Sequence, residues 1–372
     1  MVKSNKKYRK LFYHHLLETL DNYDVKKECK FGLLSGDLGL CLLSEVFGMR
    51  EAQVKSHQVF LSSVSTYNNL DKPTLNLHNG LASIHWIVKY MKWESKIEDF
   101  ENIESMLIRT LDTYLDQGNF DLLYGANGLM VTLYSDSSRR HELIVKYLKA
   151  LELNRRDDKY GIFWASNGGE VVNFGLAHGL CSIIMVLLKY RDVEKVKIDR
   201  MINSIYDSIM NRLLFEDVIK VPCAIAKDGR TFYDEGFGWC FGRLSVGYCF
   251  LKTGSILENS EMKQLGLRMI DEGIYQKRSF RSYQHKYCLC HGDTSKAYML
   301  KKVFDITNHP KYIEESVKII DKINEELFRN NKLNENYSSS RSILTGFSGY
   351  FLAAHEIEMN TKNPKWNEIL LL

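Results

Sequence analysis

The chain has 372 residues, of which 45% are hydrophobic and 26% are charged, so disorder and collagen-like structure are excluded. Proline is rare, with 4 residues against 24 glycines, and long uninterrupted helices are therefore permitted almost everywhere. The net charge of +4 comes from five basic residues among the first ten; without them, 45 basic residues face 46 acidic ones, and this balance argues against a nucleic-acid-binding face.

The N-terminal segment predicts neither export nor insertion into a membrane. After the basic N-terminal arm (1–10), the stretch 11–20 contains His14, His15 and Glu18 where a signal peptide needs an apolar core. No run of 18 apolar residues follows, as a membrane-spanning helix would require. Eight cysteines in such a chain are typical of reduced thiols. We therefore expect a cytoplasmic protein, whose basic arm permits at most peripheral contact with the inner membrane face.

Seven segments share a glycine turn followed by an apolar run of helix length. In chain order they lie at 35–40, 77–82, 124–129, 175–180, 242–248, 291–295 and 345–350. Twelve of the 24 glycines fall in these turns. A recurring spacing of tens of residues is the signature of a repeat architecture.

The segments between the turns predict helices with one apolar stripe. The clearest stripes lie at 106–115, 143–151, 198–209 and 317–327. The run 181–188, which follows the fourth turn, is instead apolar on nearly every side and predicts a helix buried all round. Strand signals are sparse, and the best of them spans 218–226.

One outer amphipathic helix, one glycine turn and one inner buried helix form a unit that occurs seven times. This pattern predicts an all-α fold, a double-layered α/α toroid of about seven inner and seven outer helices, built as a single domain over 1–372. Each turn precedes its inner helix, so the helix N-termini gather at one end with their unpaired N–H groups and positive partial charge. We expect the active site at that end.

Two of the turns carry residue types that zinc prefers. Cys240 lies in Gly-Trp-Cys-Phe-Gly at 238–242, and Cys290 and His291 begin the sixth turn. Two thiolates and one imidazole leave the fourth tetrahedral position open, as in catalytic zinc sites. On spacing alone, buried reduced cysteines and a capping histidine remain an alternative. Cys288 is a rival ligand, although strand-like alternation would point it away from Cys290.

Together with Leu-Ala-His-Gly-Leu at 176–180 and the seven turns, these motifs resemble the lanthionine synthetase C-like family from about residue 30 to about residue 356. The resemblance implies an α/α toroid. It also implies a zinc-dependent lanthipeptide cyclase, which adds a cysteine thiol of a dehydrated precursor peptide to a dehydroalanine or dehydrobutyrine of the same peptide. The product is a lanthionine or methyllanthionine thioether ring.

The resemblance also implies roles for individual residues. Cys240, Cys290 and His291 would hold one zinc ion per chain, which lowers the pKa of the substrate thiol. His178 matches the acid–base histidine, and Asp121 matches an aspartate that orients or charges it. The alternative is structural for both, since His178 could cap an inner helix and Asp121 could serve as a turn residue.

Two positions near Cys240 depart from the family pattern, as does Ser295 in the sixth turn, where a second glycine is usual. Gly236 stands where an arginine is common, and Phe241 stands where a tyrosine or histidine is common. Phenylalanine cannot donate a proton, and Arg243, Tyr233 and Tyr248 are candidates to compensate.

The implied partners are the precursor peptide with its leader and a complex with a dehydratase and an ABC transporter. Two other functions stay open: addition of glutathione or another thiol to dehydroamino acids in proteins, and a non-catalytic peptide-binding scaffold.

Overall fold

Helices make up most of the chain in the structure, a computed structural model. It describes residues 6–24, 30–71, 73–97, 100–165, 171–226, 228–233, 236–275, 282–329, 332–334, 337 and 340–372. By its internal contacts the chain divides into a first unit, Met1–Phe100 with Ser279–Trp366, and a second unit, Glu101–Arg278 with Asn367–Leu372. The single-domain organisation over 1–372 stays a prediction.

The α-helices of the described residues follow one another along the chain with few long gaps. They are α1 (Lys6–Asp21), α2 (Gly39–Val46), α3 (Arg50–Asn68), α4 (Leu81–Met91), α5 (Phe100–Asp116), α6 (Ala126–Leu133), α7 (Arg140–Leu153), α8 (Leu180–Lys189), α9 (Lys195–Met210), α10 (Arg243–Ile256), α11 (Ser260–Gly273), α12 (Tyr283–Tyr287), α13 (Asp293–Thr307), α14 (Pro310–Leu327) and α15 (Phe347–Met359). Among the same described residues, two 3-10 helices span Glu94–Lys96 and Lys365–Leu370.

Seven of these helices begin at the glycine turns, as the sequence predicts: α2, α4, α6, α8, α10, α13 and α15. A glycine occupies the N-cap of every one except α2, where Leu38 precedes Gly39. These helices are buried on nearly all sides; in α8, for example, every residue from Leu180 to Leu187 is buried. Helices of this kind belong inside a core, because they have no polar face to present to water.

The helices α1, α3, α5, α7, α9, α11 and α14 are amphipathic. In α5 only Leu107, Leu111 and Leu115 are buried, a single stripe with a spacing of four. The four stripes predicted from the sequence lie within α5, α7, α9 and α14. Helix α1 starts at Lys6, so the second half of the basic arm is helical, and residues 1–5 lie outside the described part. None of the described helices has both the length and the apolar character needed to cross a membrane.

Short antiparallel strands interrupt the helical pattern. They are β1 (Arg156–Asp158), β2 (Gly161–Phe163), β3 (Val171–Asn173), β4 (Leu214–Phe215), β5 (Ile219–Lys220), β6 (Pro222–Ala226) and β7 (Thr231–Tyr233) in the second unit, and β8 (Phe328–Arg329) and β9 (Lys332–Leu333) in the first. Strands β3, β6 and β7 form one sheet, while β1–β2, β4–β5 and β8–β9 pair as separate ladders. The predicted strand at 218–226 covers β5 and β6. All of the other strands in the described residues have two or three residues, too few to show alternation.

Two carboxylates of α15 are largely withdrawn from water in the first unit. Glu356 accepts hydrogen bonds from Tyr298 Oη at 2.7 Å and from the indole of Trp366. Glu358 lacks such partners, since neither of its carboxylate oxygens has a hydrogen bond among the described residues. Burial raises the pKa of Glu358 to about 7; the charge of Asp321 acts in the same direction and that of Arg9 opposes it.

Candidate active site

Three glycine turns of the second unit are joined through the backbone. The N–H of Leu122 donates to the carbonyl of Ala177 at 3.2 Å, and the N–H of Ala177 donates to the carbonyl of Cys240 at 3.5 Å. The turn before α6 is therefore bonded to the turn before α8, which is bonded to the turn before α10. These turns carry Asp121, His178 and Cys240. The hydrogen bonds thus bring three of the predicted site residues to the N-terminal end of the second unit's buried helices.

The turns before α8 and α10 lie so close together that only glycine fits at position 175. A Cβ on Gly175 would stand 2.0 Å from the carbonyl oxygen of Cys240. Beside this contact, the N–H of Leu176 donates to Ser245 Oγ at 2.9 Å, and the Ser245 hydroxyl donates to the carbonyl of Trp239 at 2.7 Å. The spacing of these two turns is therefore fixed by main-chain contacts.

Asp121 lies in an interlocked turn before α6. Its N–H donates to Asn119 Oδ1 at 3.3 Å, and its own Oδ1 accepts the N–H groups of Leu123 at 2.7 Å and Tyr124 at 2.9 Å. The side chain of Asn119 also donates to the carbonyl of Tyr124 at 3.0 Å, while its carbonyl accepts the N–H of Ala126, the first residue of α6, at 2.9 Å. These bonds fix the direction in which the Asp121 carboxylate points.

The second carboxylate oxygen of Asp121 meets His178. The distance from Oδ2 to His178 Nδ1 is 2.7 Å, and the side chains of the histidine and the aspartate are 39% and 2% exposed. A carboxylate only accepts hydrogen bonds, so Nδ1 of the imidazole carries the proton and Nε2 does not. A buried carboxylate that orients a partly exposed imidazole is an arrangement suited to acid–base chemistry.

Cys240 lies in a closed loop that leads into α10. The N–H of Arg243 donates to the carbonyl of Gly236 at 3.1 Å, and Phe237 and Gly242 form an antiparallel bridge across the loop. Cys240 itself is 6% exposed. Its thiol is therefore held by a loop whose ends are tied together.

Gly236 and Phe241, which both depart from the family pattern, contact each other within this loop. A Cβ on Gly236 would stand 2.3 Å from Cε2 of Phe241. The phenylalanine ring thus occupies the space that a side chain at position 236 would need. Glycine at one position and phenylalanine at the other form one packing arrangement.

The three residues that are candidates to compensate for the missing proton donor at position 241 lie in different places. Tyr233 ends β7, and its hydroxyl donates to the carbonyl of Arg212 at 3.5 Å. Tyr248 is 1% exposed in the middle of α10, with Lys252 Nζ 5.7 Å from its ring centroid. Arg243 is the first residue of α10 and 7% exposed. Of these three, Arg243 alone is part of the loop that holds Cys240.

In the first unit, Cys290 and His291 lie in the turn before α13. The N–H of Cys290 donates to the carbonyl of Leu344, and the N–H of Leu344 donates to the carbonyl of Leu34, both at 3.0 Å. The turns before α13, α15 and α2 are thereby joined, in the manner of the second unit's turns. Hydrogen bonds to Cys288 and Cys290 raise the pKa of His291 to about 10, so both sulfur atoms lie beside the imidazole.

Cys288, the rival ligand, bonds to the backbone. Its thiol donates to the carbonyl of His285 at 3.3 Å and accepts the N–H of His291 at 3.4 Å. The residue is fully buried, whereas Cys290 is partly exposed. These contacts favour Cys290 over Cys288 as the sulfur that could hold a metal.

Sequence reasoning missed one residue beside the acid–base pair. The ring of Tyr124 lies parallel to the imidazole of His178, with ring centroids 6.2 Å apart and planes at 6°. Its place in the third turn, next to Gly125, is visible in the sequence. The stacking cannot be seen in the sequence. It depends on the hydrogen bonds between the third and fourth turns, which lie about 50 residues apart.

Comparisons with known proteins agree with this architecture. A family model described as lanthionine synthetase C-like protein matches residues 2–371. Among solved structures, "Nisin cyclase" is similar with a TM-score of 0.74 and 15% identity, covering 97% of this chain and 98% of that chain. This likeness confirms the predicted fold, an all-α, double-layered α/α toroid.

Two further solved structures are less similar. The GH76A alpha-1,6-mannanase from Salegentibacter sp. HEL1_6 has a TM-score of 0.48 at 10% identity and covers 94% of this chain and 98% of its own. A sugar epimerase from a ruminal bacterium has a TM-score of 0.47 at 7% identity and covers 96% of this chain and 99% of its own. Among curated protein sequences, nothing matches the chain.

Proposed function

Because the chain belongs to the lanthionine synthetase C-like family, we propose that it is a zinc-dependent lanthipeptide cyclase. The reaction is intramolecular. The sulfur of a substrate cysteine bonds to the β-carbon of a dehydroalanine or dehydrobutyrine, the C=C π bond breaks, and its electron pair passes to the neighbouring carbonyl as an enolate. A proton then adds to the α-carbon, and the thiol proton is lost. Atoms balance without an external reactant, so the product is an isomer of the substrate.

The observation that carries the proposal is the Asp121–His178 pair. Conjugate addition needs a group that delivers a proton to the α-carbon, and a general acid works best when a partner fixes its tautomer and direction. The 2.7 Å bond from His178 Nδ1 to a carboxylate that is only 2% exposed meets this requirement. In the proposed reaction, His178 Nε2 takes up the proton that the substrate thiol loses and then delivers a proton to the α-carbon.

We assign the zinc to Cys240, Cys290 and His291. The family match supports this assignment, since Cys240, Cys290 and His291 occupy the positions of the family's zinc ligands, and Cys290 and His291 are neighbours in the turn before α13. Two thiolates and an imidazole suit zinc in its donor chemistry and leave one tetrahedral position for substrate. When bound, zinc would lower the pKa of a substrate thiol and supply thiolate at neutral pH.

The substrate of this proposal is a dehydrated precursor peptide with its leader. "Nisin cyclase", one of the similar solved structures, is a cyclase by its name. The dehydratase and the ABC transporter stay predictions from the family resemblance, as do cytoplasmic location and peripheral contact with the membrane.

The test uses a synthetic peptide that contains one dehydroalanine and one cysteine four residues away. Cyclisation leaves the mass unchanged but removes the free thiol, so N-ethylmaleimide should no longer add to the product. If the enzyme instead joins added glutathione to the peptide, the mass rises by one glutathione and the transferase alternative is correct. If neither reaction occurs while the peptide still binds, the chain is a scaffold and the cyclase proposal is wrong.

A further inference from the structure

Tyr124 is an aromatic residue whose backbone is fixed by the carboxylate that also holds His178. Oδ1 of Asp121 accepts the N–H of Tyr124 at 2.9 Å, and Oδ2 lies 2.7 Å from Nδ1 of His178. The carbonyl of Tyr124 is held as well, by the side-chain amide of Asn119 at 3.0 Å. One aspartate thus fixes both the backbone of Tyr124 and the imidazole of His178.

The tyrosine ring is placed to limit the motion of the imidazole. The two planes differ by 6° and the centroids are 6.2 Å apart, within the range of offset-stacked rings. Tyr124 is 42% exposed, so it contributes little to the core of the fold. Its contact with His178 therefore affects the geometry of the candidate site more than the stability of the fold.

We propose that Tyr124 is a positioning residue for His178. Its ring keeps the imidazole in the plane in which Nδ1 donates to Asp121, and it covers one side of that hydrogen bond against water. The role in turnover rests on the proposed cyclase function; the geometric role does not. Without the ring, the 39%-exposed imidazole gains rotational freedom, and water competes for the carboxylate.

The test compares Tyr124→Ala, which removes the ring, with Tyr124→Phe, which keeps it. Nitrogen-15 NMR of the histidine side chains reports which ring nitrogen carries the proton, and His178→Ala assigns the signal. We expect a single Nδ1–H tautomer in the parent protein and in Tyr124→Phe, and a mixture with the Nε2–H tautomer in Tyr124→Ala. Tyr275→Ala, at a position 74% exposed near the end of α11, is the matched control and should leave the signal unchanged.

Turnover of the dehydroalanine peptide supplies the second measurement. Tyr124→Ala should lower kcat about tenfold with little change in KM, because misorientation affects the chemical step. Tyr124→Phe should recover most of the loss. An unchanged tautomer in Tyr124→Ala would overturn the proposal. A rise in KM alone would overturn it too, since Tyr124 would then contact substrate. The NMR result needs no turnover, so an absence of cyclisation would count against the proposed function and leave the positioning role standing.

Discussion

The imidazole of His178 is bonded through Nδ1 to the carboxylate of Asp121, and the two sides of this bond differ sharply in their access to water. The distance from Nδ1 to the carboxylate oxygen Oδ2 is 2.7 Å. The histidine side chain is 39% exposed, whereas the aspartate side chain is only 2% exposed. The Asp121 carboxylate is thus held inside the turn, while part of the His178 side chain is exposed. This asymmetry is what an acid–base pair at the mouth of a site requires.

Asp121→Asn should lower kcat by about 10²- to 10⁴-fold, the usual contribution of an oriented general acid. The amide can donate to Nδ1 and thereby favour the tautomer with its proton on Nε2. Initial rates of thiol loss from the dehydroalanine peptide measure the effect. Asp112→Asn, which removes an exposed carboxylate paired with Lys146, is the control. Turnover within twofold of the parent protein would remove Asp121 from the mechanism.

Cys240→Ala should abolish zinc binding and ring closure together, because it removes one of three proposed ligands. Metal analysis should give about one zinc per chain for the parent protein and close to none for the variant. Cys223→Ala changes a partly exposed thiol whose hydrogen bond goes to the carbonyl of Phe232, and it should keep both zinc and activity. If Cys240→Ala retained a full complement of zinc, the ligand assignment would be refuted.

Gly236 and Phe241 should be energetically coupled. Gly236→Ala places a methyl group 2.3 Å from the phenylalanine ring, and we expect it to destabilise the fold by about 1 kcal/mol, since the ring is partly exposed and can shift. In a Phe241→Ala background the same change should cost close to nothing. Chemical denaturation of the four proteins gives the coupling energy. Additive effects would show that the two side chains do not share this space.

The buried carboxyl group of Glu358 should make stability fall as the pH rises. Its pKa in the folded protein is about 7 against an ordinary value of 4.5, so between these values the folded chain binds more protons than the unfolded one. The favourable contribution is complete below about pH 4.5 and is lost through pH 7.

Glu358→Gln tests this dependence by removing the charge. We expect a gain of about 1–2 kcal/mol at pH 8, a figure reduced for partial exposure, and no gain at pH 5. Thermal unfolding at the two pH values measures it. Glu325→Gln, at an exposed position of the amphipathic helix α14, is the control. An equal change in melting temperature at both pH values would contradict the prediction.

The periodic parts of the fold could be predicted because they depend on local sequence. A glycine turn followed by an apolar run predicts where each buried helix begins. A stripe such as Leu107, Leu111 and Leu115 predicts an amphipathic helix. Apart from the stretch 218–226, the short strands could not be predicted. Strands of two or three residues, such as Leu214–Phe215, carry no alternation and form only because a partner strand lies beside them.

At the candidate site, residue types were easier to predict than contacts. Asp121 and His178 were singled out from motifs, and the structure places them 2.7 Å apart. The contact of Phe241 with Gly236, and the stacking of Tyr124, depend on side-chain directions set by tertiary packing. Single-sequence patterns carry no information about such directions.

The main-chain hydrogen bonds between the turns before α6, α8 and α10 hold these turns together independently of the side chains that line the candidate site. Hydrogen bonds such as Leu122 N–H to the Ala177 carbonyl require no particular side chain, so they survive extensive substitution. This is how a shared fold can persist at 15% identity to "Nisin cyclase". Under the proposed function, the side chains around His178 can therefore be replaced to accept different peptides, while the main-chain bonds keep the spacing of the three turns constant.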